Sequence, residues 1–255
     1  MEDPLGDKIK RLEAFANTKI LPEVYFAVRI DGRGFSGFTE RMGYEHPYDD
    51  GFKQIMGVVA EGLTKEFNAK LAYTQSDEIS LIFGKESDLF DRRLEKLVST
   101  TSSYASCRFS QETELNGEIV MFDSRIVEIP REELVVDYLH WRHIDAIRNA
   151  LNSWCYWTLR KDGKTKRKAT SELKGKGKDY KNELLFNHGI NFNDVPLWQK
   201  RGILLSWEEY LKEGVDPRTG EKKPAIRRRV KIDEELPTGE EFKEYVQALL
   251  ADNLS

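Results

Sequence analysis

Between Lys70 and Phe83 the chain reads KLAYTQSDEISLIF, two apolar runs set around the polar tetrad Gln75–Glu78. Short runs of this kind, broken once by Ser and Asp, predict a β-hairpin. An amphipathic helix is expected before it, over Asp49–Phe67, where Phe52, Ile55/Met56, Val59, Leu63 and Phe67 recur at helical spacing. Another is expected after it, over Leu89–Phe109, with Leu94, Leu97/Val98, Thr101 and Tyr104/Ala105 on one side. Strand-like segments flank the whole, Leu21–Ile30 before and Glu118–Pro130 after. The order is therefore β-α-β-β-α-β, a split βαβ or ferredoxin-like unit of the α+β class. In such an antiparallel sheet the first strand lies beside the central hairpin.

Downstream, Pro130 fits the start of a long helix over Glu132–Leu159 that carries Trp141, Ile144, Ile147/Arg148, Leu151 and Trp154. Short strands at Gly202–Ser206 and Ile226–Ile232 follow, then loops and an amphipathic helix over Gly239–Leu250. The expected organisation is a palm-like catalytic part over 1–135 and a C-terminal helical/β extension over 136–255, packed as one unit. Nucleotide polymerases and nucleotide cyclases both use a sheet of this kind as a palm.

No apolar run approaches the roughly 18–20 residues needed to span a bilayer, and MEDPLGDKIKRLEAF lacks the core of a signal peptide. Cys107 and Cys155 match no zinc spacing and imply no disulfide framework. A cytoplasmic protein with no membrane partner is expected. The net charge of −4 argues against a nucleic-acid partner, yet Arg160–Lys181 holds ten Lys/Arg against three acids. A phosphate-binding surface and a solvated loop both fit that cluster.

The stretch RIDGRGFSGFT, Arg29–Thr39, sets Asp31 among glycines at the end of the first strand. A glycine-rich loop can hold phosphate, but the carboxylate repels it unless a cation lies between. Asp77, at the hairpin turn, is 46 residues away in sequence and a neighbour in the sheet. Two such carboxylates need a cation. Oxygen ligands with room for phosphates favour Mg²⁺, and two Mg²⁺ ions would serve phosphoryl transfer. Asp31 would hold metal while Gly32, Arg33, Gly34, Phe35 and Ser36 wrap main-chain N–H groups around a triphosphate. Ser76 and Glu78 flank the second acid and could orient its ligands. Neither motif is specific by itself, because turns favour Gly, Ser and Asp for local reasons. Their placement on adjoining strands carries the reading.

The segments RIDGRGFSGFT, YTQSDEISLIF, FDSRIVEIP, YLHWR, KNELLF and GINFN stand in the order and spacing of the tRNA-His guanylyltransferase superfamily. The chain resembles its bacterial and archaeal guanylyltransferase-like branch, the 3′-to-5′ polymerases, over about residues 5 to 230. The resemblance implies a polymerase palm, two Mg²⁺ ions, ATP and GTP as substrates, tRNA as partner and a homotetramer. It implies Asp31, the Gly32 carbonyl and Asp77 as metal ligands. The nucleotide would lie along Asp31–Ser36 and Ser76–Asp77, with Arg29, Arg93 and Lys96 at a second triphosphate. Arg148, Asn149, Lys181 and Asn182 are the candidates near the RNA end.

Two departures are visible. Where eukaryotic members carry His-Ile-Asn-Asn, this chain has Ile147, Arg148, Asn149 and Ala150, which favours templated repair of tRNA 5′ ends over selective guanylylation of tRNA-His. A lysine linked to activation of the 5′ end is replaced by His46, which is only partly charged at neutral pH. The expected reaction is activation of the 5′-monophosphate by ATP or GTP, then attack by the 3′-hydroxyl of an incoming nucleotide paired to the opposite strand. A tRNA-His guanylyltransferase, a palm-fold nucleotide cyclase and a non-catalytic RNA-binding module are the alternatives.

Some residues have a plainer reading. His140 and His143 sit three apart with no third metal ligand, and are expected at the surface or facing RNA. Trp141, Trp154 and Trp157 can stack on bases, but aromatic residues at helical spacing belong more often to a core. In isolation KNELLF reads as the start of an amphipathic strand, and Arg227–Arg229 meets phosphate or covers a sheet edge.

Overall fold

The computed structural model describes residues 4–215 and 222–252, so 216–221 and 253–255 of the expected extension lie outside the described residues. Its strands are β1 (Tyr25–Gly32), β2 (Leu71–Gln75), β3 (Glu78–Phe83), β4 (Phe122–Ile129), β5 (Ile203–Val215) and β6 (Lys222–Asp233). They form one antiparallel sheet in the order β4-β1-β3-β2-β5-β6. The first four give the expected ferredoxin-like core. The last two continue it past β2, since Leu71–Thr74 pair with Ile203–Ser206.

The strand period sorts side chains between two faces. Phe26, Val28 and Ile30 of β1, with Ile79, Leu81 and Phe83 of β3, join one core. Over that core lie α3 (Asp50–Glu66), through Phe52, Met56, Val59 and Leu63, and α4 (Leu94–Glu112), through Leu97, Ala105 and Phe109. The opposite face, with Tyr25, Ala27 and Ile82, packs on α5 (Glu132–Lys161) and α9 (Glu240–Asp252). A third cluster joins Leu151, Cys155 and Leu159 of α5 to α6 (Lys166–Leu173) and α7 (Lys178–Asn187). Burying a Leu, Phe or Ile side chain stabilises by roughly 1.5–3 kcal/mol. Shorter helices complete the chain: α1 (Pro4–Lys10), α2 (Phe35–Met42) and α8 (Leu197–Arg201).

The structure corrects several boundaries. Strand β1 starts at Tyr25, and it runs on through Asp31 and Gly32 instead of stopping at Ile30. The segment after Gly34 is helical; α2 was not foreseen. The helix expected over Leu89–Phe109 begins with a 3₁₀ turn, Leu89–Arg92, whose Phe90, Asp91 and Arg92 have φ of 53°, 55° and 56°. Helix α5 starts at Glu132 as expected and runs two residues further, to Lys161. KNELLF lies in α7, not at the start of a strand, and the basic stretch is helical through α6 and α7. Strands β5 and β6 are 13 and 12 residues long, a ribbon much longer than the short strands expected.

His143 belongs to the core and neither faces RNA nor lies at the surface. It is 1% exposed, with its ring 4.1 Å from Phe242 edge-on and 6.5 Å from Tyr73. Burial pushes its imidazole down to about 4, and its Nε2 has no hydrogen-bond partner. A histidine held below its unfolded value contributes full stability above about pH 6.5 and loses it as pH falls toward 4. His143→Leu should remove that sensitivity. Urea denaturation should show the variant gaining about 2 kcal/mol on wild type between pH 7 and pH 5. A difference that stays constant across that range would place the charged imidazole elsewhere.

Candidate active site

Asp31 lies on the α5 side of the sheet, in register with Glu78 of β3 on one side and Asp123 of β4 on the other. The next residue fixes the hairpin against it: the Gly32 N–H donates to the Asp77 carbonyl at 3.1 Å. Only glycine fits there. A Cβ on Gly32 would fall 2.4 Å from Cδ2 of Phe35 and 2.9 Å from Cβ of Asp77. Phe35 cannot give way, because its ring is wedged among Phe38, Phe52, Phe109 and Phe122 at centroid distances of 5.4, 5.9, 5.3 and 4.9 Å. Gly34, at φ 73° and ψ 22°, then turns the chain into α2 without a capping side chain. The first N–H groups of α2 are thereby left for an anionic ligand.

Asp31, Ser76, Asp77 and Glu78 line one cleft, together with Arg142, Asp145 and Asn149 of α5. A second pocket adjoins it through Gln75, Ser76, Asp77 and Ser153, and is walled by Phe35, Ser36, His46, Lys53, Trp157 and Trp198. Burial, reinforced by the charge of Asp31, pushes the Asp77 carboxyl up to about 6, although hydrogen bonds from its own amide and from Ser76 pull the other way. A cation between the two acids relieves that repulsion. No group of three or more His, Cys, Asp and Glu residues suited to a metal occurs among the described residues. An ion here would rest on two carboxylates, the Gly32 carbonyl and oxygens of a substrate, which is the donor set a hard divalent cation accepts.

Glu78 is held in a charged network that sequence reading did not anticipate. Arg142 meets it bidentately, Nε to Oε1 at 2.7 Å and Nη2 to Oε2 at 2.8 Å. The same guanidinium reaches Asp145 at 3.2 Å, and Asp145 also accepts from Arg148 and, at 3.2 Å, from Asn149. Arg29 approaches Glu78 at 3.9 Å. Burial raises the Glu78 carboxyl, and Arg142 and Arg29 offset part of that rise.

The remaining candidates are divided. Asn149 reaches the cleft, and Arg148 is exposed beside it. Lys181 and Asn182 lie on α7, away from the acids; Asn182 lines a separate groove with Phe186 and Phe192. Arg29 projects from the α5 face, whereas Arg93 precedes α4 and Lys96 is exposed on its first turn, over the opposite face. Within one chain, then, these three do not converge. His46 stacks flat on Trp157, centroids 3.8 Å apart at 3°. Burial lowers its imidazole, so at neutral pH it is a neutral ring at the pocket wall. Trp141 is 52% exposed and lies over the Arg142 guanidinium at 4.6 Å.

A family model described as tRNAHis guanylyltransferase matches residues 6–130, and one for the C-terminal domain of the same family matches 133–244. A probable tRNA(His) guanylyltransferase of Dictyostelium discoideum is 38% identical over 210 residues, covering 78% of this chain and 82% of its own. The chain belongs to the tRNAHis guanylyltransferase family. Among solved structures, a bacterial tRNA(His) guanylyltransferase-like protein in complex with GTP is 27% identical, with a TM-score of 0.71 over 97% of this chain and 99% of its own. The ATP complex of such a bacterial protein gives 28% identity and a TM-score of 0.73 over 96% and 98%. The crystal structure of the tRNA(His) guanylyltransferase of Saccharomyces cerevisiae gives 33% and 0.68 over 76% and 90%.

In this member of the tRNAHis guanylyltransferase family, Arg142 and Asp145 are the site residues that sequence reading missed. Arg142 closes the YLHWR segment, though nothing there gives it a role; the signal for Asp145 is its three-residue spacing from Arg142 and Arg148 along a helix, a pattern shared with ordinary solvated faces.

Proposed function

We propose that this chain transfers a nucleotide to the 5′ end of tRNA, with guanosine addition to tRNA(His) as its principal reaction. One observation carries the reading. Two carboxylates distant in sequence, Asp31 of β1 and Asp77 of the β2–β3 turn, are held together beside a pocket by the Gly32–Asp77 hydrogen bond. The relatives named tRNA(His) guanylyltransferase in several organisms support the choice of reaction.

Asp31, the Gly32 carbonyl and Asp77 would hold Mg²⁺. When bound, such ions lower the pKa of an attacking hydroxyl and neutralise charge on the departing phosphate. The protein's own part is placement. Main-chain N–H groups at the start of α2 receive triphosphate oxygens, and the aromatic wall of the pocket receives the base. In the reaction, the 3′-hydroxyl oxygen of the bound nucleotide bonds to the RNA 5′-phosphorus. The bond to the activating group breaks, releasing pyrophosphate from a 5′-triphosphate end or a nucleoside monophosphate from an activated 5′-monophosphate end. The Glu78–Arg142 pair fixes the hairpin against α5, and Asn149 lines the same cleft.

Templated repair of shortened tRNA 5′ ends is the second reading. It is favoured by Ile147–Ala150 in place of His-Ile-Asn-Asn and by the nearly full-length likeness to the bacterial guanylyltransferase-like protein. Purified protein with Mg²⁺, ATP and labelled GTP should lengthen a tRNA(His) transcript lacking its extra 5′ guanosine by one nucleotide. Parallel tRNAs lacking their first nucleotide, with each possible opposing base and each of the four nucleoside triphosphates labelled in turn, separate the readings. Addition confined to tRNA(His) supports guanylylation, and addition of the complementary base to every RNA supports repair. A cyclic nucleotide formed without RNA would sink both.

A further inference from the structure

We propose that the basic knob built from the end of α5, α6 and the loop leading into α7 is a docking surface for RNA backbone phosphates. It rests on the reading that the substrate is tRNA, and names the part of the protein that grips that RNA away from the reacting end.

The sequence left two options for Arg160–Lys181, a phosphate surface or a solvated loop. The fold sets most of the stretch on helices, leaving only short connections between α5, α6 and α7. Leu159 and Ala169 are 1% and 0% exposed, and with Leu184 and Leu185 they form a buried cluster beneath the charged residues. The charges therefore stand on an ordered platform, where like charges repel at a cost to stability that a bound polyanion removes.

Few of them are neutralised by other described residues. Lys164 pairs with Glu172, Lys166 with Glu40 of α2, and the acid Asp162 is taken by His188. Lys161, Arg167, Lys168, Lys174, Lys176 and Lys178 are exposed and have no carboxylate partner among the described residues. Five of these six are lysines. Lysine is a hydrated point charge on a flexible stem, suited to phosphates in a register that carries no base information.

The knob is continuous with the pocket. The Lys166–Glu40 pair ties α6 to α2, and the charges of Lys161 and Lys166 are felt at His46 on the pocket wall. From Arg142 to Lys161 is nineteen residues of unbroken helix, about 28 Å at 1.5 Å per residue. A single nucleotide cannot span that distance, and a nucleic-acid strand leaving the pocket can.

The test uses Lys174→Gln/Lys176→Gln/Lys178→Gln, three exposed positions in or next to the loop, with binding of tRNA and of GTP measured from 50 to 200 mM salt. The triple variant should bind tRNA at least about tenfold more weakly at the lower salt, and the slope of log affinity against log salt should shrink by about 2. GTP affinity should match wild type, and Lys→Arg at the same three positions should restore the slope. A triple variant with wild-type tRNA affinity and slope overturns the docking surface while leaving the reaction untouched. Wild-type protein that binds GTP but no tRNA overturns the RNA reading itself, and this proposal with it.

Discussion

Asp77→Asn should lower the single-turnover rate of nucleotide addition by at least about a thousandfold, while tRNA affinity stays within a few-fold of wild type. The substitution keeps shape and removes one of two charges. Holding a divalent cation at a phosphoryl-transfer centre accounts for several kcal/mol of transition-state stabilisation, and each 1.36 kcal/mol is a factor of ten. The wild-type carboxyl already sits uneasily, pushed up to about 6 by burial and by Asp31. The neutral amide should therefore melt no lower than wild type in the absence of metal. Loss of activity without loss of stability is the signature of a functional acid. A variant that retains activity within tenfold of wild type would remove Asp77 from the chemistry.

Arg142→Met should produce the opposite pattern, a loss of stability first. Its partner Glu78 is only 19% exposed and Arg142 11%. Removing one member of such a pair strands the other, at a cost of about 3–5 kcal/mol. For a chain of this size that corresponds to a fall in Tm of roughly 10 °C. The double variant Glu78→Gln/Arg142→Met should recover most of it, because the stranded Glu78 charge is gone and Asp145 keeps Arg148 and Asn149. Nucleotide addition should remain low in the double variant if the pair also sets the position of α5 beside Asp77. Equal melting of the single and double variants would show that Glu78 is served by Arg29, which stands 3.9 Å away in the native protein.

What was legible in the sequence follows from how local each signal was. The hairpin over 71–83 and the helices α3 and α5 declare themselves by apolar period, and topology then puts Asp31 beside Asp77 without further information. Helix α2 escaped because Gly34 and Gly37 read as loop, while the evidence for helix is Phe35 and Phe38 packing into rings contributed by distant segments. Helix α7 escaped because a six-residue motif fits either period. Strands β5 and β6 carry Glu, Lys and Arg on both faces of their outer half, so alternation is missing where the ribbon leaves the sheet. His143 shows the general limit: an imidazole on a helix reads the same whether it meets water or the ring of Phe242.

Strand β5 has a consequence for how this protein can be divided. By bonding to Leu71–Thr74 it makes β2 an interior strand, so the β2–β3 hairpin never presents an open edge. A fragment ending near residue 130 would bare that edge: four apolar-rich residues with unpaired amides and carbonyls, a template for aggregation. The two matched segments thus share one hydrogen-bonded seam, and severing it would endanger solubility before it touched the chemistry.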